Sequence, residues 1–282
     1  MKAKTRAAFL RAHPLCCFCG GREASTSIDH QPARVFFRGK RMPDDSLFPS
    51  CESCQDISRS AEEAMSLVVL PVAMMEADHA AWLTRVNSAN ANRPALLSDV
   101  VPSEELAAGL RSQISAPPPG YTGEDFITLD PNVWSPHFTM LALKLTLAMH
   151  YRFMGRPLGP FGRLLAWLVP NGHHDPEWDA MFEGVGIKAE PVYHGGEDLR
   201  DQMNLKYQAL RDQGTMAVRL RMHEAMTIYG ITAENGADPL LAEISDQLGR
   251  PFGPEVEAVA PYRAFSIADF PVLSPWKFVV DS

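Results

Sequence analysis

The sequence predicts an α+β fold, in which a small N-terminal module precedes a mixed helical and antiparallel-sheet region. Three observations lead to this class. All five cysteines lie within residues 16–54 of the 282-residue chain. An apolar pattern after Ser135-Pro136 has the length of a buried helix. Segments between residues 203 and 232 alternate apolar and polar side chains, as strands do.

Local signals predict the first elements of the chain. Residues 4–12 suit a short helix that ends at His13-Pro14, because the residue before a proline avoids the helical region. Residues 25–30 are expected to be extended and to bring His30 to the end of a strand. Residues 38–46 contain Gly and Pro among polar side chains and predict a loop.

A helix is expected after Cys54, because Ser60 and Glu63 form a capping box ahead of an apolar run. Pro71 is expected to kink or end this helix. The long helix further on is expected to start at Ser135-Pro136, with the serine as N-cap, and to stop at Gly155. Four strands are expected after it, at residues 163–169, 203–209, 216–222 and about 225–232.

These elements divide the chain into three parts. Residues 1–70 form the cysteine-containing module, residues 71–114 a helical connector, and residues 126–282 an α+β C-terminal domain to which the sequence assigns no role. The stretch at 115–125, SAPPPGYTGED, cannot form regular structure and is the best candidate for a linker.

Charge is distributed unevenly along the chain. Residues 1–42 contain nine Lys or Arg and two acidic residues, whereas residues 43–282 contain 17 basic and 32 acidic residues. The net charge of −8 is therefore the sum of +7 and −15. A basic segment on an acidic body is typical of a surface that faces phosphates, and DNA is the partner that it predicts. A basic tail without function is the alternative.

The composition also narrows the class of protein. No run of about 18 apolar residues occurs, so no membrane partner is expected. The N-terminus lacks the apolar core of a secretory signal. Cysteines confined to one short segment favour a metal site in a reducing compartment over a disulfide framework, which predicts a cytoplasmic protein. A homodimer is left open.

Two Cys-x-x-Cys pairs predict a structural zinc site. Zinc takes about four ligands in a tetrahedron, and the two turns supply four thiolates, from Cys16, Cys19, Cys51 and Cys54. Four buried thiols without a metal are the alternative. The fifth cysteine, Cys17, is expected to take no part.

Between the two pairs lies Asp29-His30, a candidate reaction centre. Asp29 offers an oxygen ligand suited to Mg²⁺, and His30 can accept a proton from water near neutral pH. The alternative is a polar strand end without chemistry. Four cations follow and could hold flanking phosphates: Arg34, Arg38, Lys40 and Arg41. Arg34 has a second interpretation, as a structural tie to a carboxylate.

Taken together, these residues resemble the HNH endonuclease family and its ββα-metal fold. The matching pattern is Cys-x-x-Cys-Gly, Asp-His-x-Pro-x-Arg-x-Phe and Pro-x-Cys-x-x-Cys, over about residues 13–65. The resemblance implies that His30 is the general base in the hydrolysis of DNA phosphodiester bonds. It also implies that Asp29 is a ligand of a catalytic Mg²⁺ or Mn²⁺, and that the four cysteines hold a separate structural zinc.

Two positions depart from the family's pattern. Many members have Asn about five residues before the second cysteine pair and Asn or His after it, where this chain has Ser46 and Gln55. Both side chains can still form hydrogen bonds and are counted with the site. A further ligand for the catalytic metal would have to come from a nearby acid: Asp45, Asp56, Glu62 or Glu63.

The sequence therefore predicts an HNH-type, metal-dependent endonuclease. One alternative is a zinc module whose nuclease centre is eroded and that binds nucleic acid without cutting it. The other is a purely structural zinc site in a protein that binds other proteins.

Overall fold

The computed structural model describes residues 3–72, 87–88, 91, 131–159, 162–170, 176–223 and 225–234. Helices and antiparallel strands are both present, and the predicted α+β class is confirmed. Almost all of the expected connector at 71–114 and the whole linker at 115–125 lie outside the described residues. Within the described ranges, no helix combines the length and apolar character that crossing a bilayer requires.

The chain begins with a helix and a two-stranded ribbon. Helix α1, Ala3–Ala12, ends just before His13-Pro14, as predicted. Strands β1, Ser27–His30, and β2, Leu47–Ser50, pair antiparallel, with His30 opposite Leu47. Successive side chains of a strand point to opposite faces. Asp29 is accordingly buried, whereas His30 next to it is half-buried.

The loop between β1 and β2 contains two short 3₁₀ turns, Arg34–Phe36 and Arg38–Lys40, and the second of them lies in the loop predicted at 38–46. The C-terminal part of the chain fastens this loop. His223 Nε2 donates to the Phe36 carbonyl at 2.6 Å, and the Arg38 amide donates to Gln202 Oε1 at 2.8 Å.

Helix α2, Glu52–Val72, begins before Cys54 rather than after it, which corrects the prediction. Strand β2 runs straight into the helix at Cys51, whose carbonyl accepts a hydrogen bond from the Gln55 amide at 3.2 Å. Ser60 is therefore inside the helix and does not cap it. Pro71 is part of the helix, and the residues after Val72 lie outside the described ones, so the expected kink or end stays a prediction.

Helix α3, Pro131–Met154, starts earlier than the predicted Ser135-Pro136. Pro131 supplies the same first-turn signal ahead of that dipeptide, because its ring fixes the backbone angle that a helix needs. The helix stops at Gly155, as predicted. Gly155 has φ +79, which favours glycine, and its amide donates to the Tyr151 carbonyl at 2.9 Å.

The C-terminal part contains a helix, α4, Pro176–Gly184, and seven strands. The strand bounds are β3 Arg163–Pro170, β4 Lys188–Glu190, β5 Tyr193–His194, β6 Glu197–Asp198, β7 Met203–Leu210, β8 Thr215–Met222 and β9 Met226–Ala233. Five of the strands form an antiparallel sheet in the order β3-β9-β8-β7-β4, and β5 and β6 form a separate small ribbon. All four predicted strands are present, whereas the sequence did not predict α4 and the other strands.

Helix α3 is the centre of the packing. It lies against α2 on one side and against β3, β8 and β9 on the other. One cluster of buried side chains therefore extends from Cys16 through α3 to Ile228 on the sheet. The opposite face of the sheet packs against α4 through a second cluster that includes Trp167, Phe182 and Tyr229. Residues far apart in sequence thus meet beneath the β1–β2 ribbon.

Candidate functional site

Four buried thiols form a compact cluster. The Sγ atoms of the four cysteines all lie within 4.8 Å of one another, and each residue is at most 2% exposed: Cys16, Cys19, Cys51 and Cys54. A tetrahedral zinc with bonds of about 2.3 Å places its sulfurs roughly 3.8 Å apart. The cluster is therefore compatible with a structural zinc ion. Within the described ranges it is the one group of three or more Cys, His, Asp or Glu ligands close enough to hold a metal.

Backbone contacts bring the two cysteine pairs together. The first pair lies in a turn after α1, where Gly20 and Gly21 have φ of 65 and 78. The Cys17 amide donates to the Pro49 carbonyl on β2 at 3.0 Å, and the second pair follows at the start of α2. Cys17 itself lies outside the thiol cluster, as expected.

The thiols are close enough to shift one another's ionisation. Burial raises the pKa of Cys51 to about 12. Hydrogen bonds from Cys16 and Cys54 lower the pKa of Cys19 to about 2. The Cys19 thiol therefore ionises more readily than the Cys51 thiol, and a divalent cation at the centre would favour the thiolate form of all four.

The predicted metal ligand Asp29 is occupied by a lysine. Lys144, from α3, is 1% exposed, and its Nζ lies 2.6 Å from Asp29 Oδ2. The other oxygen, Oδ1, accepts the His30 amide at 2.7 Å. Asp29 itself is 5% exposed. Neither oxygen of this carboxylate is thus left to solvent or to an incoming ion.

The same ammonium holds two groups of α2. Lys144 Nζ donates to Ser58 Oγ at 2.6 Å and to Glu62 Oε1 at 2.5 Å. Glu62 Oε1 also accepts the side-chain amide of Gln31 at 2.7 Å. Burial raises the pKa of Glu62 against the pull of Lys144, so Glu62 loses its charge at a higher pH than an ordinary glutamate.

The lysine also connects this ion cluster to the thiol cluster. Lys144 Nζ lies 5.2 Å from the centre of the Phe18 ring, a distance at which an ammonium is attracted to the ring face. Phe18 lies between Cys16 and Cys19 in the sequence. Ser58 Oγ donates in turn to the Cys54 carbonyl at 3.0 Å. The two clusters are therefore parts of one buried polar network.

His30 lies beside Arg34 at the edge of this network. His30 Nε2 is 2.9 Å from an Arg34 guanidinium nitrogen. A guanidinium only donates, so Nε2 accepts and the proton of the neutral ring is on Nδ1. Burial and, after it, the Arg34 charge lower the pKa of His30 below 6.5. The imidazole is consequently neutral at pH 7.

The Ser46 hydroxyl is bound to the loop backbone, and Gln55 lies on α2. The Ser46 hydroxyl donates to the Pro43 carbonyl, and the Ser46 carbonyl accepts the Gln31 amide at 2.9 Å. Ser46 thus fixes the backbone next to His30 through its carbonyl. Gln55 is half-buried on α2, and the contacts described for it are made by its backbone.

The four predicted phosphate-binding cations are all on the loop, but two of them face acids of the C-terminal part. Arg38 pairs with Asp201 at 3.0 Å, and Arg41 pairs with Glu197. Arg34 is exposed beside His30, and Lys40 is exposed at the loop surface. The acids therefore balance Arg38 and Arg41, whereas Arg34 and Lys40 present their charges at the loop surface.

These surroundings do not fit a catalytic Mg²⁺ or Mn²⁺. Such an ion needs carboxylate oxygens that face it, with several waters. The oxygens of Asp29 are engaged, and Glu62 is held by the same ammonium. The other two acids with described pairs are Asp45, which lies 3.4 Å from Arg152, and Asp56, which pairs with Arg59 at 2.8 Å.

Lys144 is the site residue that sequence reasoning missed. It stands alone among apolar residues in the run MLALKLTLAM, which was interpreted as a buried helix. A lysine is almost never fully buried without a partner. That single position could therefore have predicted a buried acid opposite it, although not which one.

Searched against family models, curated proteins and solved structures, the chain matches none of them.

Proposed function

We propose that β1, β2 and α2 form an HNH-type ββα unit, and that this unit binds the phosphate backbone of nucleic acid without cutting it. Support for the unit comes from the order of its elements and from the place of Asp29-His30 at the end of β1. Two of the four thiols precede β1 in sequence, the other two follow β2, and all four meet in one cluster. Zinc, where bound by them, would brace the segment and supply no chemistry.

The observation that carries the absence of cutting is the contact between Lys144 and Asp29. The resemblance gives Asp29 the role of ligand to the catalytic metal. In this chain the Lys144 ammonium lies 2.6 Å from Asp29 Oδ2, and both side chains are buried. A carboxylate neutralised in this way attracts a divalent cation only weakly.

Binding is supported by the exposed cations on the loop. Arg34 and Lys40 are exposed, and the pair between Arg41 and Glu197 is exposed on both sides. An exposed ion pair contributes about 0–1 kcal/mol, so a phosphate can displace the acid. Phosphate contacts of this kind give affinity that does not depend on base sequence and falls with salt.

Fluorescence anisotropy with labelled single-stranded and duplex DNA and with RNA tests this proposal over a series of salt concentrations. The double variant Arg34→Gln, Lys40→Gln should bind more weakly and reduce the slope of log affinity against log salt by about 1–2. Lys188→Gln is the control, because Lys188 is an exposed lysine on strand β4, outside the loop. No salt-dependent binding by the wild type would leave the structural interpretation, a zinc site in a protein that binds other proteins.

Hydrolysis is the second candidate function, and one observation favours it. His30 is half-buried at the strand end, and its lowered pKa keeps the imidazole neutral at pH 7, the form that accepts a proton. Its Nε2 lone pair is occupied by Arg34. A phosphate that draws Arg34 away would therefore release Nε2 to take a proton from water.

Cleavage of supercoiled plasmid separates the two candidates. Protein that retains zinc is treated with EDTA and then tested with Mg²⁺ or Mn²⁺, alongside His30→Ala. We expect no cutting by either protein while DNA affinity persists in both. Cutting that returns with the metal and is absent in His30→Ala would establish the endonuclease and reject a purely binding role.

A further inference from the structure

The oxygens around Lys144 have the arrangement of a cation cage. Asp29 Oδ2, Ser58 Oγ and Glu62 Oε1 all lie 2.5–2.6 Å from one atom, the Lys144 Nζ. They come from two elements, β1 and α2, while the lysine enters from α3. Two carboxylates and a hydroxyl that converge on one point are the oxygen donors that hard cations take in proteins.

The Lys144 ammonium is buried within this cage and stays charged there. The Lys144 side chain is 1% exposed and that of Asp29 7% exposed, whereas that of Glu62 is 18% exposed. Burial lowers the pKa of Lys144, but Asp29 and Glu62 raise it by more, so the group is charged at neutral pH. Phe18 covers another side of the ammonium.

A divalent ion and this ammonium cannot share the cage. An ion on Asp29 Oδ2 or Glu62 Oε1 would lie within a few ångströms of Nζ, where two like charges repel strongly in a buried site. Asp29 Oδ1 is committed to the His30 amide at 2.7 Å. The lysine is thus the group that keeps a divalent ion from Asp29 Oδ2 and Glu62 Oε1.

We propose that Lys144 is the resident cation of the Asp29 centre and excludes divalent ions from it. It acts as an internal counter-ion that α3 delivers to β1 and α2. Distances of 2.5–2.6 Å to the three oxygens approach those of Ca²⁺ sites. Removal of the ammonium therefore opens the cage to a divalent ion. This inference concerns the cage alone and holds whether or not the protein binds nucleic acid.

Manganese binding to zinc-loaded, full-length protein tests the inference, with electron paramagnetic resonance as the readout. The wild type and Asp29→Asn should give the same Mn²⁺ titration, because Lys144 leaves no Mn²⁺ site at Asp29 in the wild type. Lys144→Met should bind Mn²⁺ at least about tenfold more tightly than the wild type. The double variant Lys144→Met, Asp29→Asn should lose that gain, because one of the two carboxylates of the cage is then neutral.

Two results would overturn the inference. One is a wild-type Mn²⁺ site that disappears in Asp29→Asn, because the ammonium would then not exclude the ion. The other is a folded Lys144→Met protein without an Asp29-dependent site. Where Lys144→Met does not fold, the wild-type and Asp29→Asn titrations decide alone. Neither result depends on nucleic-acid affinity, so failure here is distinct from failure of the proposed function.

Discussion

The region around the β1–β2 ribbon and the C-terminal sheet are stabilised by different physics. Strands β1 and β2 have four residues each, and the side chains beneath them include four thiols and the Lys144 ion cluster. In the sheet, β7, β8 and β9 have eight residues each, and β9 is buried at every position. One region depends on ligands and charges, the other on apolar burial and backbone pairing.

This difference predicts which substitutions should destabilise each region. A ribbon of two short strands has too little apolar surface to be stable alone. Its stability must come from groups whose charge or metal can be removed in solution. The sheet offers no such group of ligands within its described residues and should respond to volume instead. The predictions below separate the two responses.

Loss of zinc should have the largest effect and should be confined at first to the ribbon. Structural zinc contributes about 10–16 kcal/mol of binding free energy, which is of the order of a whole domain's stability. We expect Cys54→Ser to lose zinc by elemental analysis and to lose amide-exchange protection across residues 13–72 before β8 and β9 do.

The matched control for this change is Cys17→Ala, since Cys17 is buried beside the thiol cluster without belonging to it. It should keep one zinc per chain. Zinc retained at full stoichiometry in Cys54→Ser would show that the four thiols are not the site.

Removal of the buried ammonium should have the second largest effect. Lys144→Met leaves Asp29 and Glu62 without a counter-charge, which typically costs about 3–5 kcal/mol. Urea unfolding measures it. Lys206→Met is the control, because Lys206 pairs with Glu183 at the same 2.5 Å, but with side chains 26% and 46% exposed. That change should cost less than about 1 kcal/mol; equal costs would mean that burial does not set the strength of the pair.

Overpacking should disturb the sheet side by a smaller amount. A Cβ at Gly230 on β9 would lie 2.2 Å from Thr146 Oγ1 and 2.5 Å from its Cγ2, on α3. Gly230→Ala should therefore destabilise the protein by about 1–3 kcal/mol and leave zinc content unchanged. Gly159→Ala is the control, because nothing lies within 4 Å of the added atom. A drop in melting temperature that is equal for both would argue against this contact.

An effect of similar size is expected from pH, through His150 on α3, whose ring lies 2.7 Å from Thr232 Oγ1 on β9. Burial, with a further contribution from Arg156, lowers the pKa of His150 to about 4, against the pull of Glu234. The unfolded chain therefore binds the proton first, and stability is lost as pH falls below 6.5. The loss attributable to this group between pH 7 and pH 5 is about 2 kcal/mol.

Urea unfolding at pH 7 and pH 5 measures this dependence. His150→Asn keeps a polar group near Thr232 Oγ1, which lies 2.7 Å from the ring in the wild type, but cannot take up the proton. The variant should lose less stability than the wild type over this interval. His13→Asn, at a half-buried histidine, is the control for replacing a histidine elsewhere.

The sequence predicted those features that depend on spacing along the chain. The four thiols meet because two Cys-x-x-Cys turns are built for one ion, and the eight-residue strands follow from alternation. The start of α2 was misplaced because Cys51 continues a strand directly into a helix, and cysteine is not one of the Ser, Thr, Asp or Asn residues that usually mark a helix start. A capping box at Ser60 and Glu63 was a stronger local signal, although it lies inside the helix.

What could not be predicted are contacts between distant segments. Nothing near Asp29 indicates that its partner is Lys144, and nothing near Arg38 or Arg41 indicates Asp201 and Glu197. Such pairs are decided by how α3 and the C-terminal loops pack on the module. The resemblance to a family, which is local to residues 13–65, carries no information about them.

The delivery of Lys144 from α3 has a consequence for the order in which a newly made chain can mature. The four thiols are all available once Cys54 has left the ribosome, so the zinc turns can close early. The acids Asp29 and Glu62 must wait for residue 144 before their charges are balanced. A fragment that ends at residue 72 would therefore not fold as an independent module, because it lacks Lys144, the counter-ion of Asp29 and Glu62.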